Sequence, residues 1–237
     1  MKNAQVYGSP GIRVRMLGLA GIYWPYLLFL LLIGWMLGCI VPIEIPSPVA
    51  ALVLLAIAFL SWFLSKSCSL RFSLFMKGAR GEELVAQQLA FLPAGWSVVH
   101  SVPRSGIIYG GGDYDHVVVA PGAIYVIETK NWAGPVTIEN GNVYVGGRPT
   151  SHSPIAQARQ EAIDLAAFLQ NVVPAGTPVA GIVCFASNGL AEDCVRVDDT
   201  VVCNLRVLCD VLRNGKYQPF DENHRSLIID RLLSASR

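Results

Sequence analysis

Two stretches near the N-terminus carry no charge, Met16 to Ile43 and Ile45 to Ser65, with only Glu44 between them. A helix needs roughly 20 apolar residues to cross the hydrocarbon core of a bilayer. Each stretch reaches that length, so the sequence predicts two transmembrane helices, about 19–41 and 47–65. A secretory signal peptide starting at Arg13 and Arg15 is the other way to read the first stretch, but the stretch is too long and no small-residue cleavage site follows it. A lipoprotein reading of Gly38-Cys39 fails because a second apolar stretch comes directly after. Cations set the orientation. Lys2, Arg13 and Arg15 precede the first stretch, Lys66, Arg71, Lys77 and Arg80 follow the second, and the segment Val41 to Pro48 carries only Glu44. Both termini are then expected on the cytoplasmic side of an inner membrane, with a short outer turn in which Pro42, Pro46 and Pro48 disfavour helix. Gly34 and Gly38 have the small-residue spacing that packs one span on the other or on a second copy.

The remaining sequence reads as a basic juxtamembrane linker, 66–77, and a globular domain, 78–237, with 1–16 as a cytoplasmic N-terminal segment. Composition agrees: 53% hydrophobic and 15% charged is too apolar for a soluble protein of this size, and the excess lies in the two stretches. Seven of the 18 basic residues and one of the 17 acidic ones precede Gly81, leaving 11 against 16 downstream. A protein that coats duplex nucleic acid is normally basic, which excludes that class and confines any nucleic-acid contact to a local site. The basic residues flanking the apolar stretches suit anionic lipid headgroups. Cys39 falls in a span and Cys68 beside one, where it is either acylated or idle. Cys184, Cys194, Cys203 and Cys209 have no CxxC spacing, so neither a disulfide framework nor a zinc ribbon is expected.

Within the domain, Leu84, Val85, Gln88, Leu89 and Leu92 recur at helical spacing from Gly81 to Leu92, ended by Pro93 and Gly95. Trp96 to His100 reads as a strand, and Gly106 to Gly112 as a loop. Two runs of β-branched and aromatic residues flank Pro121-Gly122, a hairpin signal, and Asn140-Gly141 joins a second pair, Pro135 to Ile138 and Val143 to Gly146. Ser153 as N-cap and Pro154 at the first position open a helix through Gln170. Val179 to Phe185 is a buried strand by its unbroken apolar run, and Leu205 to Leu212 and Glu222 to Leu233 are helices, the second capped by Asp221. The elements make an α/β sandwich.

A turn centred between Pro121 and Gly122 sets Asp115 opposite Glu128 and Asp113 opposite Lys130. Alternation along the strands then puts Asp115, Glu128 and Lys130 on one face. Close carboxylates repel unless a cation lies between them, and hard oxygen donors suit Mg²⁺ or Mn²⁺. A bound ion of that kind polarises a phosphate, and a nearby lysine stabilises the charge that develops there. Glu82 offers a further carboxylate and Gln157 a hydrogen-bonding amide. An acid and a lysine two apart on a strand are usually a solvated edge, and spacing alone favours that reading, but Asp115 and Glu128 close the polar ends of otherwise apolar strands, where a polar cluster marks a site. His116 faces away from Asp115 and reads as structural. His100, His152 and His224 have no ligand spacing, Trp132 either stacks on a base or packs, and Glu192-Asp193 and Asp198-Asp199 read as solvated loops.

Taken in order, Gly81-Glu82 opening a helix, Asp115-His116 before Val117-Val118-Val119, Pro121-Gly122, Ile127-Glu128-Thr129-Lys130-Asn131 with Gly134, and Pro154 with Gln157 resemble the NERD (nuclease-related) domain over about 78–170. The sequence departs from that family in Gly110-Gly111-Gly112-Asp113-Tyr114, where a short hydrophobic approach to the aspartate is usual. The resemblance implies a restriction-endonuclease-like α/β/α core with a mixed sheet, similar to the PD-(D/E)xK nucleases. Asp115, Glu128 and Lys130 would then be the catalytic residues, Glu82 and Gln157 accessory ones, and Asp115, Glu128 and Glu82 the ligands of Mg²⁺ or Mn²⁺. It further implies phosphodiester hydrolysis of nucleic acid, DNA above all, beside the bilayer. The rival expectation is a catalytically inactive module that binds nucleic acid or a protein partner at the membrane, which the acidic balance of the domain favours. Transport by the spans is excluded, since neither carries an internal charge.

Overall fold

A computed structural model describes residues 3–40, 47–104, 112–215 and 219–235. In chain order the elements are β1 (Gln5–Tyr7), α1 (Ile12–Ile40), α2 (Ser47–Leu89), β2 (Ser97–Pro103), β3 (Asp113–Val119), β4 (Ile124–Lys130), β5 (Val136–Glu139), β6 (Asn142–Val145), β7 (Arg148–Pro149), α3 (Pro154–Leu169), β8 (Val179–Phe185), β9 (Cys194–Val197), β10 (Thr200–Asn204), α4 (Leu208–Arg213) and α5 (Glu222–Ser234). They form two compact units, Met1–Gly11 with Arg80–Arg237, and Ile12–Ala79.

The first unit is built on a seven-stranded sheet in the order β1-β2-β3-β4-β8-β10-β9. It is mixed: β4 pairs antiparallel with β3 and parallel with β8. The inner strands are buried on both faces, which is why Val117–Val119 and Ile124–Ile127 read as continuous apolar runs. Alternate residues point to opposite sides. Val98, Val118, Ile127, Ile182 and Cys203 meet Val85, Leu89, Leu208 and Leu212 of α2 and α4. Val117, Val119 and Val126 meet Leu165 and Leu169 of α3 and Ile228 and Leu232 of α5. Each of those four helix side chains is fully buried, worth roughly 1.5–3 kcal/mol apiece. The outcome is the expected α/β fold, helices on either face of a mixed sheet.

Local chemistry accounts for the elements. In the β3–β4 hairpin His116 pairs with Ile127 and Val119 with Ile124, the register centred on Pro121-Gly122. Asn140 and Gly141, at φ 49° and 77°, make the turn between β5 and β6, a backbone form that favours this dipeptide. Ser153 caps α3 by accepting from the Ala156 N–H at 3.2 Å, and Asp221 caps α5 by accepting from His224 N–H at 2.7 Å. At Gly81 α2 passes so close to the end of β4 that a Cβ there would lie 2.6 Å from Asn131 Cβ.

Several expectations change. The segment 66–77, expected as a basic juxtamembrane linker, is helical as part of α2, its leucines, lysines and arginines outweighing nearby Gly78. The N-terminal segment 1–16 contributes a strand, as β1 pairs parallel with β2, Gln5 opposite Ser97 and Tyr7 opposite Val99, and α1 begins at Ile12. Asp198-Asp199, by contrast, is solvated as expected: it forms the exposed turn between β9 and β10, with Asp198 at φ 52°. The outer turn at 41–46 and the glycine loop at 105–111, with Gly110 and Gly111, lie outside the described residues.

In the second unit α1 and the N-terminal part of α2 expose Trp24, Leu31, Trp35, Leu52, Leu55 and Trp62. Even so, no helix among the described residues is long and apolar enough to cross a membrane, and the two expected spans gain no support from the fold. The apolar stretches extend over 41–46 and over side chains outside the description, and α2 carries charged residues along its C-terminal half.

Candidate active site

The sheet forks at the polar ends of β3 and β4. Their pairing stops at His116 opposite Ile127, although both strands continue. Beyond that point β3 follows β2, Asp113 opposite Pro103, while β4 follows β8, Lys130 opposite Phe185. The expected oppositions of Asp115 with Glu128 and of Asp113 with Lys130 are therefore both absent, since the strands have found different neighbours. On the other side of β3, Ser101 at φ 51° interrupts the β2 register opposite Asp115. Asp115 fills the fork: its Oδ2 accepts the Thr129 N–H at 2.8 Å, replacing the lost rung with a side chain.

Glu128 and Lys130 stand on the α3 side of β4. Lys130 Nζ donates to Glu128 Oε1 and, at 3.1 Å, to Gln157 Oε1. Gln157 Nε2 in turn donates to Glu161 Oε1 at 3.0 Å. Glu161 pairs with Arg104 Nη1 at 3.6 Å, and Arg104 also pairs with Asp164 and lies 5.5 Å over the Tyr114 ring. Glu82, from α2, accepts the Gly11 N–H at 2.9 Å. Glu82, Glu128 and Glu161 are all buried, at 8%, 4% and 1% exposure.

This much negative charge out of water leaves its mark. Burial, then Glu128 and Glu82, hold the Asp115 carboxyl well above the usual range. Burial raises Glu82 to about 7, against the Gly11 N–H, with Glu128 and Asp113 adding to the rise. Burial and then Glu128 raise Glu161 to about 8, against Gln157, Arg104 and Lys130. The cluster holds more carboxylate than its two cations can balance, and so favours a bound proton or a further cation.

Residues 77–186 match the family model of the nuclease-related domain, NERD. The chain carries a nuclease-related domain. A curated relative is the probable kinase PglW of Streptomyces coelicolor (strain ATCC BAA-471 / A3(2) / M145), 33% identical over 155 residues. The match takes in 62% of this chain but only 9% of that relative, so the chain spans a small part of it. No solved structure matches.

All five residues read from the sequence, Glu82, Asp115, Glu128, Lys130 and Gln157, lie inside the nuclease-related domain; Lys130 contacts Glu128 and Gln157, while Asp115 and Glu82 are held by the Thr129 and Gly11 N–H groups. Among the described residues no three His, Cys, Asp or Glu side chains are grouped to hold a metal ion, and Glu128 is engaged by Lys130. The donor chemistry nonetheless fits Mg²⁺ or Mn²⁺, since the oxygens are hard, buried, and pushed towards protonation by one another. Sequence reasoning missed Glu161 and Arg104. The signal for Glu161 was present: a carboxylate one turn after Gln157, set among Ala158, Ala162 and Leu165, which are buried on α3.

On the opposite face of β3 from Asp115, His116 meets His100 of β2, Nδ1 to Nδ1 at 2.7 Å with the rings edge to face. That spacing requires one ring to donate and the other to accept. Burial pushes His100 down to about 4, and burial followed by the His100 charge holds His116 well below its ordinary value. Both are neutral core residues of the nuclease-related domain rather than bases. Trp132 packs, with its ring 5.5 Å from Phe185.

Proposed function

We propose that the nuclease-related domain is a metal-dependent phosphodiesterase acting on nucleic acid, DNA above all, with a core similar to the PD-(D/E)xK nucleases. The observation that supports this is the fork, where Asp115 accepts from the Thr129 N–H, between Glu128 and Lys130 in sequence, and feels the Glu128 charge. Asp115, Glu128 and Glu82 would hold Mg²⁺ or Mn²⁺. When bound, such an ion supplies Lewis acidity towards a phosphate oxygen and a more acidic bound water. The chain's own contribution is orientation. Thr129 N–H fixes Asp115, Gly11 N–H fixes Glu82, and Gln157 fixes Lys130, whose ammonium can stabilise negative charge developing on the phosphoryl group.

The test is cleavage of labelled DNA and RNA by the full chain in mild detergent, with and without Mg²⁺ or Mn²⁺. Cleavage that needs the ion and is lost in Glu128→Ala and in Lys130→Ala supports the proposal, while cleavage unaffected by either variant sinks it. A folded protein that cuts nothing and takes up no Mg²⁺ in calorimetry supports the second reading, an inactive binding module. That reading is favoured by the engagement of Glu128 with Lys130 and the acidic balance from Gly81 onward. The kinase in the name of the curated relative belongs to a protein of which this chain covers 9%, and gives no argument for a kinase here.

We also infer that the chain sits in an inner membrane through two spans with both termini cytoplasmic. The two uncharged stretches and the flanking cations of the sequence support this. Alkaline carbonate extraction of membranes should leave the full chain in the pellet; release into the supernatant overturns the inference.

A further inference from the structure

Glu161 is the only charged residue among the buried positions of α3, and neither the sequence nor the function just argued assigns it a role. We propose that Glu161, held by Arg104, is a positioning residue that sets which way the Gln157 amide faces and thereby where the Lys130 ammonium is held. This rests on the reading of Lys130 as a functional residue of the domain.

The argument is one of donors and acceptors. An ammonium only donates, and Lys130 Nζ lies 3.1 Å from Gln157 Oε1. The Glu161 oxygen 3.0 Å from Gln157 Nε2 only accepts. With these groups at its two ends the amide has one satisfied orientation. Turned over, it would set its NH₂ against the ammonium and its carbonyl against the carboxyl oxygen. Gln157 is exposed on α3, with Lys130 and Glu161 the two side chains its amide meets, whereas Glu161 is 1% exposed and held by Arg104. Arg104 lies across Glu161 and Asp164 with its guanidinium over Tyr114, which fixes the carboxyl from the far side.

Glu161 occupies a costly position, since burial and Glu128 raise it to about 8, and its Oε2 is buried with no hydrogen-bond partner. A proton taken up there would go to Oε2. Oε1 would still accept from Gln157, so the orientation survives in either protonation state. A residue that served only to pack would be better replaced by an apolar side chain of similar size.

The test uses the full chain and reads Lys130 directly, by its rate of acylation with an N-hydroxysuccinimide ester followed by peptide mass mapping. Freed from Gln157, Lys130 should label several-fold faster in Glu161→Met and in Gln157→Leu, and no faster in the double variant, because the two act as one chain. Glu161→Gln, whose carbonyl can stand at the Oε1 position, should stay near the unmodified rate. If cleavage is observed, Glu161→Met should lower kcat about 10- to 100-fold with little change in KM, the size of loss seen when a supporting hydrogen bond is removed. Thermal unfolding checks each fold, and Arg104→Met, which frees Glu161 without altering α3, serves if Glu161→Met does not fold. Wild-type labelling of Lys130 in a folded Glu161→Met or Arg104→Met protein overturns the proposal. Raised labelling in a protein that cuts no substrate upholds it while removing the nuclease reading.

Discussion

Asp115→Asn is expected to lower metal-dependent cleavage at least ~100-fold while making the apo domain more stable by on the order of 1 kcal/mol. The two effects share a cause. Asp115 is pressed towards protonation by burial and by Glu128 and Glu82, so its charge costs folding energy at neutral pH. Asparagine keeps an oxygen for the Thr129 N–H and removes the charge. For a domain of this size that gain corresponds to a melting temperature roughly 2–4 °C higher. Added Mg²⁺ should stabilise the wild type by about 2.7 kcal/mol at a hundredfold excess over its dissociation constant, and Asp115→Asn far less. Scanning calorimetry with and without Mg²⁺, beside the cleavage assay, measures all of this. A less stable Asp115→Asn that still cuts would show that the fork is an ordinary solvated edge.

Acid should unfold the domain through the pair on the other face of β3. His100 titrates at about 4 in the fold against 6.5 when free. Between those values the unfolded chain binds a proton that the folded chain refuses. The stabilisation is thus complete above about pH 6.5 and is lost as pH falls towards 4, about 3 kcal/mol for His100, with His116 moving the same way. Glu82 and Glu161, raised to about 7 and about 8, act in the opposite sense, since their folded forms hold protons more tightly than the unfolded chain. The His contribution is isolated by comparing urea unfolding of the wild type with His100→Gln between about pH 7.5 and 4. The wild type should lose about 3 kcal/mol more over that range. Parallel curves for the two proteins would refute the assignment.

Much of this arrangement was legible from short-range chemistry. Pro121-Gly122 fixed the β3–β4 register, Asn140-Gly141 the next hairpin, Ser153-Pro154 the start of α3, and Val179 to Phe185 has the bounds of β8. Three of the five candidate residues could be picked out because they alternate on strands about a known turn and Gln157 because it follows a helix cap, whereas Glu82, expected to open a helix, lies well inside α2. What escaped depends on partners distant in sequence. The strand β1 is three residues long, and its pairing with β2 decides that it is a strand at all. The pair β9 and β10 surrounds a charged turn that looks like loop. His100 and His116 meet only because β2 and β3 align them. The divergence of Asp113 from Lys130 reflects competition between neighbouring strands, which a hairpin considered alone does not contain.

The pairing of β1 with β2 makes the nuclease-related unit discontinuous in sequence, with residues 12–79 inserted between its first strand and the rest. A fragment beginning near Lys77 keeps every residue that matches the family model, yet lacks the strand that covers β2 and the Gly11 N–H that holds Glu82. During synthesis that strand leaves the ribosome long before the sheet edge it joins, and must wait for it. Cutting the protein at the family boundary therefore leaves the Glu82 carboxylate without the N–H it accepts from.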